Sequence, residues 1–114
     1  MEIFVGADYR GFEKRQKVLN FLAKSEHTVH DLGAYDNAEN DYNDPAIAVA
    51  KMVRKNRDAR GILMCGSAHG VTIQANRFKG IRAANCDTPE SAKLAREHDD
   101  ANVLCMSASL LDDE

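Results

Sequence analysis

LMCGSAHGVTIQAN, Leu63 to Asn76, decides the fold of this chain. An apolar run ends at Cys65. Gly66 follows, then Ser67, Ala68 and His69, then Gly70, and then a stretch with helical patterning. Apolar runs of this length bounded by glycine read as buried strands, and apolar residues at helical spacing read as helices. The segment is therefore a strand, a tight loop and a helix. The thiol sits at the strand tip, where it serves as nucleophile, base, metal ligand or mere filler.

The same unit recurs on both sides. Before the loop, EIFVGAD (Glu2–Asp8) predicts a strand and GFEKRQKVLNFLAKS (Gly11–Ser25) an amphipathic helix with Phe12, Val18, Leu19 and Leu22 near one face. TVHDLG (Thr28–Gly33) predicts a short strand, AYDNAENDYN (Ala34–Asn43) a polar loop, and DPAIAVAKMVRKN (Asp44–Asn56) a helix opened by Asp-Pro. ARGILMCG (Ala59–Gly66) is the third strand and HGVTIQANRF (His69–Phe78) its helix. After them, GIRAANC (Gly80–Cys86) predicts a strand. DTPESAKLAREHD (Asp87–Asp99) predicts a helix capped by Asp or Thr, and NVLCMSA (Asn102–Ala108) a fifth strand.

Strand–helix alternation with short links predicts a three-layer α/β/α sandwich: a Rossmann-like, five-stranded parallel sheet. Parallel strands are buried on both faces, which accounts for their nearly unbroken apolar character. Ligands in such sheets bind beyond the carboxyl ends of the strands. Asp8, Tyr9 and Arg10 follow strand one, Cys65 to Gly70 follow strand three, and Asp87 follows strand four. His98 and Asp99 close a helix instead, which puts them at the opposite sheet edge unless a second subunit brings them in.

Composition narrows the function. The chain has 114 residues, which fits a single domain over 1–114. It is 44% apolar and has no apolar stretch near the roughly 20 residues that span a bilayer. Its N-terminus, MEIFVGADYRG, lacks a basic leader region, so a cytoplasmic protein is expected. LLDDE at the C-terminus ends abruptly in acid and reads as a domain cut soon after its last strand. The net charge is −3 and the basic residues are scattered, which argues against nucleic acid as a main partner. Lys14, Arg15 and Lys17 form the densest basic group and read as an exposed helix face. Three cysteines, an odd number without close pairing, suggest no disulfide framework. Cys86 and Cys105 read as small buried hydrophobes.

Several chemistries fail on spacing. GADYRG after the first strand lacks the middle glycine of a dinucleotide loop, and no G-K-[ST] exists. A thiol phosphatase needs an arginine six places after its cysteine, where Val71 stands. Cys65 with His69, or His27 with His30, offers too few ligands for a metal. What remains is a thiol beside a turn that exposes backbone N–H groups at a helix start. Such a turn suits an oxyanion, and a helix N-terminus favours the anionic form of a nearby thiol. A thiolate next to an oxyanion hole can move a proton beside a carbonyl, with no metal or organic cofactor. Spacing alone also allows a structural turn with an incidental cysteine.

Longer motifs carry a resemblance. GADYRGF (Gly6–Phe12), DYN (Asp41–Asn43), CGSAHG (Cys65–Gly70), ANRFKGIRAA (Ala75–Ala84) and AKLAREHDDANVL (Ala92–Leu104) run in the order and spacing of the type B ribose-5-phosphate isomerase and galactose-6-phosphate isomerase family. The chain resembles that family over nearly its whole length. The resemblance implies an aldose–ketose isomerase acting on a pentose or hexose, or its phosphate, through a cis-enediolate. It implies Cys65 as the base between C1 and C2, Ser67 as an aid to ring opening, and His98 as the acid–base group at the ring oxygen. Asp8 would bind sugar hydroxyls. The N–H groups of Gly66, Ser67, Ala68, His69 and Gly70 would hold the enediolate. A homodimer or tetramer is implied, with His98 of one subunit reaching the Cys65 pocket of another.

The departures concern phosphate. Tyr9 replaces a histidine, Ser109 stands where an arginine is expected, and arginines of a later helix have no counterpart within the chain. Charge-assisted bonds of that kind are worth roughly 1.5–3 kcal/mol each. Arg10 is the candidate replacement cation. Asp99, where the family has asparagine, adds negative charge beside His98. Asp41 and Tyr42 either touch substrate or order their loop. Arg82 is either a family site residue or a structural partner. Two alternatives to a self-sufficient isomerase stay open: a non-catalytic sugar-binding relative, and one subunit of a hetero-oligomer.

Overall fold

The computed structural model describes residues 1–33 and 43–108, with the backbone alone for Tyr9. The polar loop with Asp41 and Tyr42, and the Ser109 position, lie outside the described residues.

The elements are β1 (Glu2–Ala7), α1 (Phe12–Leu22), β2 (Thr28–Asp31), α2 (Asn43–Val53), β3 (Arg60–Cys65), α3 (His69–Ala75), β4 (Ala83–Asn85), α4 (Pro89–Asp99) and β5 (Val103–Ser107). A single 3-10 turn, Tyr9–Gly11, lies between β1 and α1. The expected elements all appear, each trimmed by up to three residues at an end, while α2 also starts one residue early, at Asn43. α4 starts at Pro89 because the Thr88 hydroxyl accepts the Ser91 N–H, so Thr88 rather than Asp87 is the cap.

The strands form one all-parallel sheet in the order β2-β1-β3-β5-β4. Burial explains why β5 enters between β3 and β4. Val103, Cys105 and Ser107 are fully or almost fully buried, whereas all three residues of β4 are half-buried. The more apolar strand takes the centre, and the short one takes the edge. β1 leads outward to β2, and β3 lies on its other side, so the chain reverses direction between β1 and β3. That is the switch point where open parallel sheets leave a crevice.

Right-handed crossovers put α2 and α3 on one face and α1 and α4 on the other. On the first face, Ala46, Val49, Ala50 and Val53 of α2 pack with Phe4, Leu63, Val71, Val103 and Cys105. Gly61 lets α2 come this close: a Cβ there would stand 2.6 Å from Val49 Cγ1. The second face holds a smaller cluster of Ile3, Val5, Ala7, Leu22 and Met64. Beneath α4 a groove of about 280 Å³ opens between Ala92 and Ala95 and the strand residues Ile3, Ile62 and Leu104.

One expectation is corrected here. Arg15 is not on an exposed face: it is 6% exposed and its guanidinium pairs with Asp31 at the end of β2. The Phe12 ring lies 5.1 Å from the same guanidinium. A cation can be buried in this way when a carboxylate and an aromatic face replace water. No helix among the described residues is long and apolar enough to cross a membrane.

Candidate active site

The crevice at the switch point is built from the ends of β1 and β3. Ala7 pairs in register with Met64, so Asp8 and Cys65 are the next residues on adjacent strands. Adjacent strands lie about 4.8 Å apart. The Asp8 N–H donates to the Met64 carbonyl at 3.1 Å, which ties the first turn to β3. The carboxylate Oδ1 of Asp8 accepts the N–H groups of Arg10 at 2.9 Å and Gly11 at 3.1 Å. Asp8 is 5% exposed, and its carboxylate folds its own turn. Arg10 is exposed in that turn.

Cys65 is also 5% exposed. The loop after it is set by backbone geometry. Ala68 has φ 69° and ψ −1°, a left-handed conformation that costs a residue with a Cβ roughly 1 kcal/mol or more. This twist starts α3 directly at His69. The first N–H groups of a helix have no partner within it. Ser67 Oγ accepts the His69 N–H at 3.4 Å, and Thr72 Oγ1 donates to the Ala68 carbonyl at 2.6 Å. His69 is exposed, and its Nδ1 lies 3.4 Å from Nδ2 of Asn85 at the end of β4.

β5 props the loop from below. The buried Ser107 hydroxyl donates to the Gly66 carbonyl at 2.6 Å, and the Ala108 N–H donates to the Cys65 carbonyl at 2.8 Å. Sequence reasoning missed Ser107. Its signal was a small polar residue closing an otherwise apolar strand. Cys105, two residues earlier, is fully buried. Burial pushes its thiol from 9.0 up to about 12; a hydrogen bond to Thr72 opposes this, and the Cys65 and Cys86 thiols add to it. Cys105 is thus a neutral core side chain, as the sequence suggests.

Asp8, Tyr9, Arg10, Cys65, Gly66, Ser67, Ala68, His69 and Gly70 therefore gather at one end of the sheet. His98 and Asp99 do not. They close α4, whose end bonds to Arg82 ahead of β4 and lies next to Asn102 ahead of β5. Cys65 is level with Ser107, at the far end of β5. The four steps from Val103 to Ser107 alone span roughly 13 Å at 3.3 Å per residue. Within one chain the two groups stand at opposite ends. Among the described residues, no three His, Cys, Asp or Glu side chains group to hold a metal.

The strand order and the loop at its switch point place the chain among the doubly wound α/β proteins, whose ligands bind at such a point. Comparison gives the family. A family model described as Ribose/Galactose Isomerase matches residues 3–114. The chain belongs to that family of aldose–ketose isomerases, as its motifs imply. It is 42% identical over 113 residues to the probable ribose-5-phosphate isomerase B of Mycoplasma genitalium, covering 97% of this chain and 74% of that protein. It is 36% identical over 110 residues to ribose-5-phosphate isomerase B of Escherichia coli, covering 96% and 74%. The crystal structure of the Mycoplasma genitalium enzyme with bound ribulose-5-phosphate matches with a TM-score of 0.94 at 41% identity, over 98% of this chain and 75% of that one. The Thermotoga maritima enzyme matches with a TM-score of 0.93 at 39% identity, over 98% and 77%.

Proposed function

We propose that this chain interconverts an aldose phosphate and its ketose, with a pentose 5-phosphate as substrate and Cys65 as the base. The observation that carries the assignment is the placement of Cys65 beside Asp8 at the switch point, on a loop held by the left-handed Ala68. The solved relative with ribulose-5-phosphate supports the substrate class.

In this reading His98 gives a proton to the ring oxygen and takes the O1 hydroxyl proton in its place, and the sugar opens with a carbonyl at C1. The Cys65 thiolate then takes the C2 proton. The C–H electron pair forms the C1–C2 double bond, and negative charge moves to O1. The N–H groups of residues 66–70 stabilise that oxygen. The proton returns from Cys65 to C1, and the O2 proton passes to O1 as the C2 carbonyl forms, which leaves a hydroxyl on C1. Ser67 assists ring opening, Asp8 holds sugar hydroxyls, and Arg10 supplies a cation for the phosphate. No metal or organic cofactor takes part. Tyr9, His69 and Asp99 line the substrate.

His98 stands at the wrong end of its own sheet for this chemistry, so it serves the Cys65 site of a second copy. The assembly is then a homodimer, or a tetramer of such pairs, with shared sites. A deuterium experiment tests both parts. In deuterium oxide, ribose-5-phosphate should gain label and convert to ribulose-5-phosphate, and Cys65→Ala should lose both by roughly 10²–10⁴-fold. His98→Asn should lose isomerisation to a similar degree. Mixing the two inactive variants and letting subunits exchange should restore about a quarter of the sites, since about half the dimers become mixed and each holds one intact site. A folded wild-type protein that labels none of a panel of pentose and hexose phosphates would sink the isomerase. Mixtures that stay inactive after proven exchange would sink the shared site.

A further inference from the structure

α4 is an unusual helix in this fold. None of its residues is buried, and a groove separates its middle from the sheet. Its C-terminal end, by contrast, is closely held. The Arg82 Nε donates to the Asp99 carbonyl, one residue beyond His98. Arg96 donates to the Ala101 carbonyl at 2.6 Å and pairs with Asp100. Asp100 turns left-handed with φ 55°, and the Ala101 N–H returns to the Ala95 carbonyl. Arg82 itself is fixed by Asn102, whose Oδ1 accepts the Arg82 N–H at 2.9 Å while its Nδ2 donates to the Gly80 carbonyl at 2.9 Å. The next residue, Ala83, is gripped by Asn76 at the end of α3: Asn76 Oδ1 accepts its N–H at 2.7 Å, and Asn76 Nδ2 donates to its carbonyl at 2.9 Å.

A continuous path of hydrogen bonds thus runs from α3, whose start carries the Cys65 loop, through Ala83 and Arg82 to the helix end that carries His98. Packing does not orient this end, because α4 has no buried side chain to pack with. A helix end advances about 100° per residue, so the choice of carbonyl that Arg82 holds sets the direction of the imidazole. A cation is also favoured at a helix C-terminus.

We propose that Arg82 is a positioning residue for His98, holding the Asp99 carbonyl so that the imidazole is aimed at the ring oxygen in the partner's site. The proposal rests on the acid–base reading of His98 given above. It gives Arg82, exposed between Ile81 and Ala83 of the core, a purpose that packing does not supply.

The test separates ring opening from carbon-bound proton transfer. Ribose-5-phosphate enters as a ring. Ribulose-5-phosphate, with O5 phosphorylated, is open-chain, so label exchange at its C1 needs Cys65 but no ring opening. Arg82→Ala should lower kcat on ribose-5-phosphate roughly tenfold or more, within the range for a misplaced acid–base group, and leave KM and C1 exchange within about twofold. Arg82→Lys, which keeps the charge, should recover part of the loss. Arg82→Ala should add nothing further in a His98→Asn background, because both changes act on one step. An equal additional loss in that background would overturn the proposal, as would an unchanged kcat per folded enzyme. Loss of C1 exchange in parallel with isomerisation would overturn it too, by showing that the Cys65 loop is disturbed. If Arg82→Ala does not fold, Arg82→Lys carries the same double-variant comparison. Full activity of His98→Asn on ribose-5-phosphate would instead remove the reading of His98, and any role through it.

Discussion

The two faces of the sheet are built differently. α2 and α4 each have 11 residues, yet α2 buries Pro45, Ala46, Val49, Ala50 and Val53 and α4 buries none. The α2–α3 face is a continuous core that reaches Cys65 and Ala68, so the loop that bears the thiol is an extension of the best-packed part of the molecule. The α4 side of the other face leaves a groove and presents an exposed helix end with His98. The difference shows where rigidity comes from. The proposed base, Cys65, is held by hydrophobic packing from beneath. The proposed acid is held by hydrogen bonds at a helix terminus. Packed positions resist displacement in all directions, whereas a terminal clamp fixes one direction and leaves the helix surface open to a partner.

Three measurements break or sharpen this contrast. The largest effect belongs to alkaline pH. Cys105 lies in the packed face and keeps its proton up to about 12 when folded, but releases it near 9.0 when unfolded. The unfolded state therefore binds fewer protons between those values. Stability is complete below pH 9 and falls as pH rises toward 12, with a slope of roughly 1 kcal/mol per pH unit. Urea unfolding between pH 8 and 11 should show this fall, and Cys105→Ala should flatten it. A wild-type slope unchanged by that substitution would contradict the assignment.

Next comes Gly61→Ala. Its Cβ would meet Val49 at 2.6 Å and Val53 and Val103 at 3.1 Å, so α2 must shift. A loss of about 1–3 kcal/mol is expected by chemical denaturation. A loss near zero would mean that α2 is held less tightly than its burial implies. The smallest effect is expected for Leu94→Ala on α4. Leu94 is 45% exposed, and the change should stay within about 0.5 kcal/mol in dilute protein. A loss comparable to Gly61→Ala would erase the distinction between the faces.

Much of the fold was legible because its signals are local. Apolar runs ending in Gly6 and Cys65, the Thr88–Pro89 helix start and the 3.6-residue patterns depend on near neighbours in the chain. The strand–loop–helix shape around Cys65 was legible for the same reason, since Cys65, Gly66 and Gly70 lie within six residues. The basic cluster misled, because charge alone cannot show that Asp31, 16 residues away, takes Arg15 into the interior. Ser107 was passed over because its partner, the Gly66 carbonyl, is 41 residues distant.

The sequence by itself determined the strand–helix order, the thiol at a strand tip and, through its long motifs, the family. Only the tertiary structure decided that β5 enters between β3 and β4, that Asp8 stands beside Cys65, and that Arg82 and Asn102 close around the end of α4. Local propensity chooses elements. Their neighbours are chosen by which strand buries most apolar surface and by which distant side chains can satisfy buried or terminal polar groups, and both are sums over the whole chain.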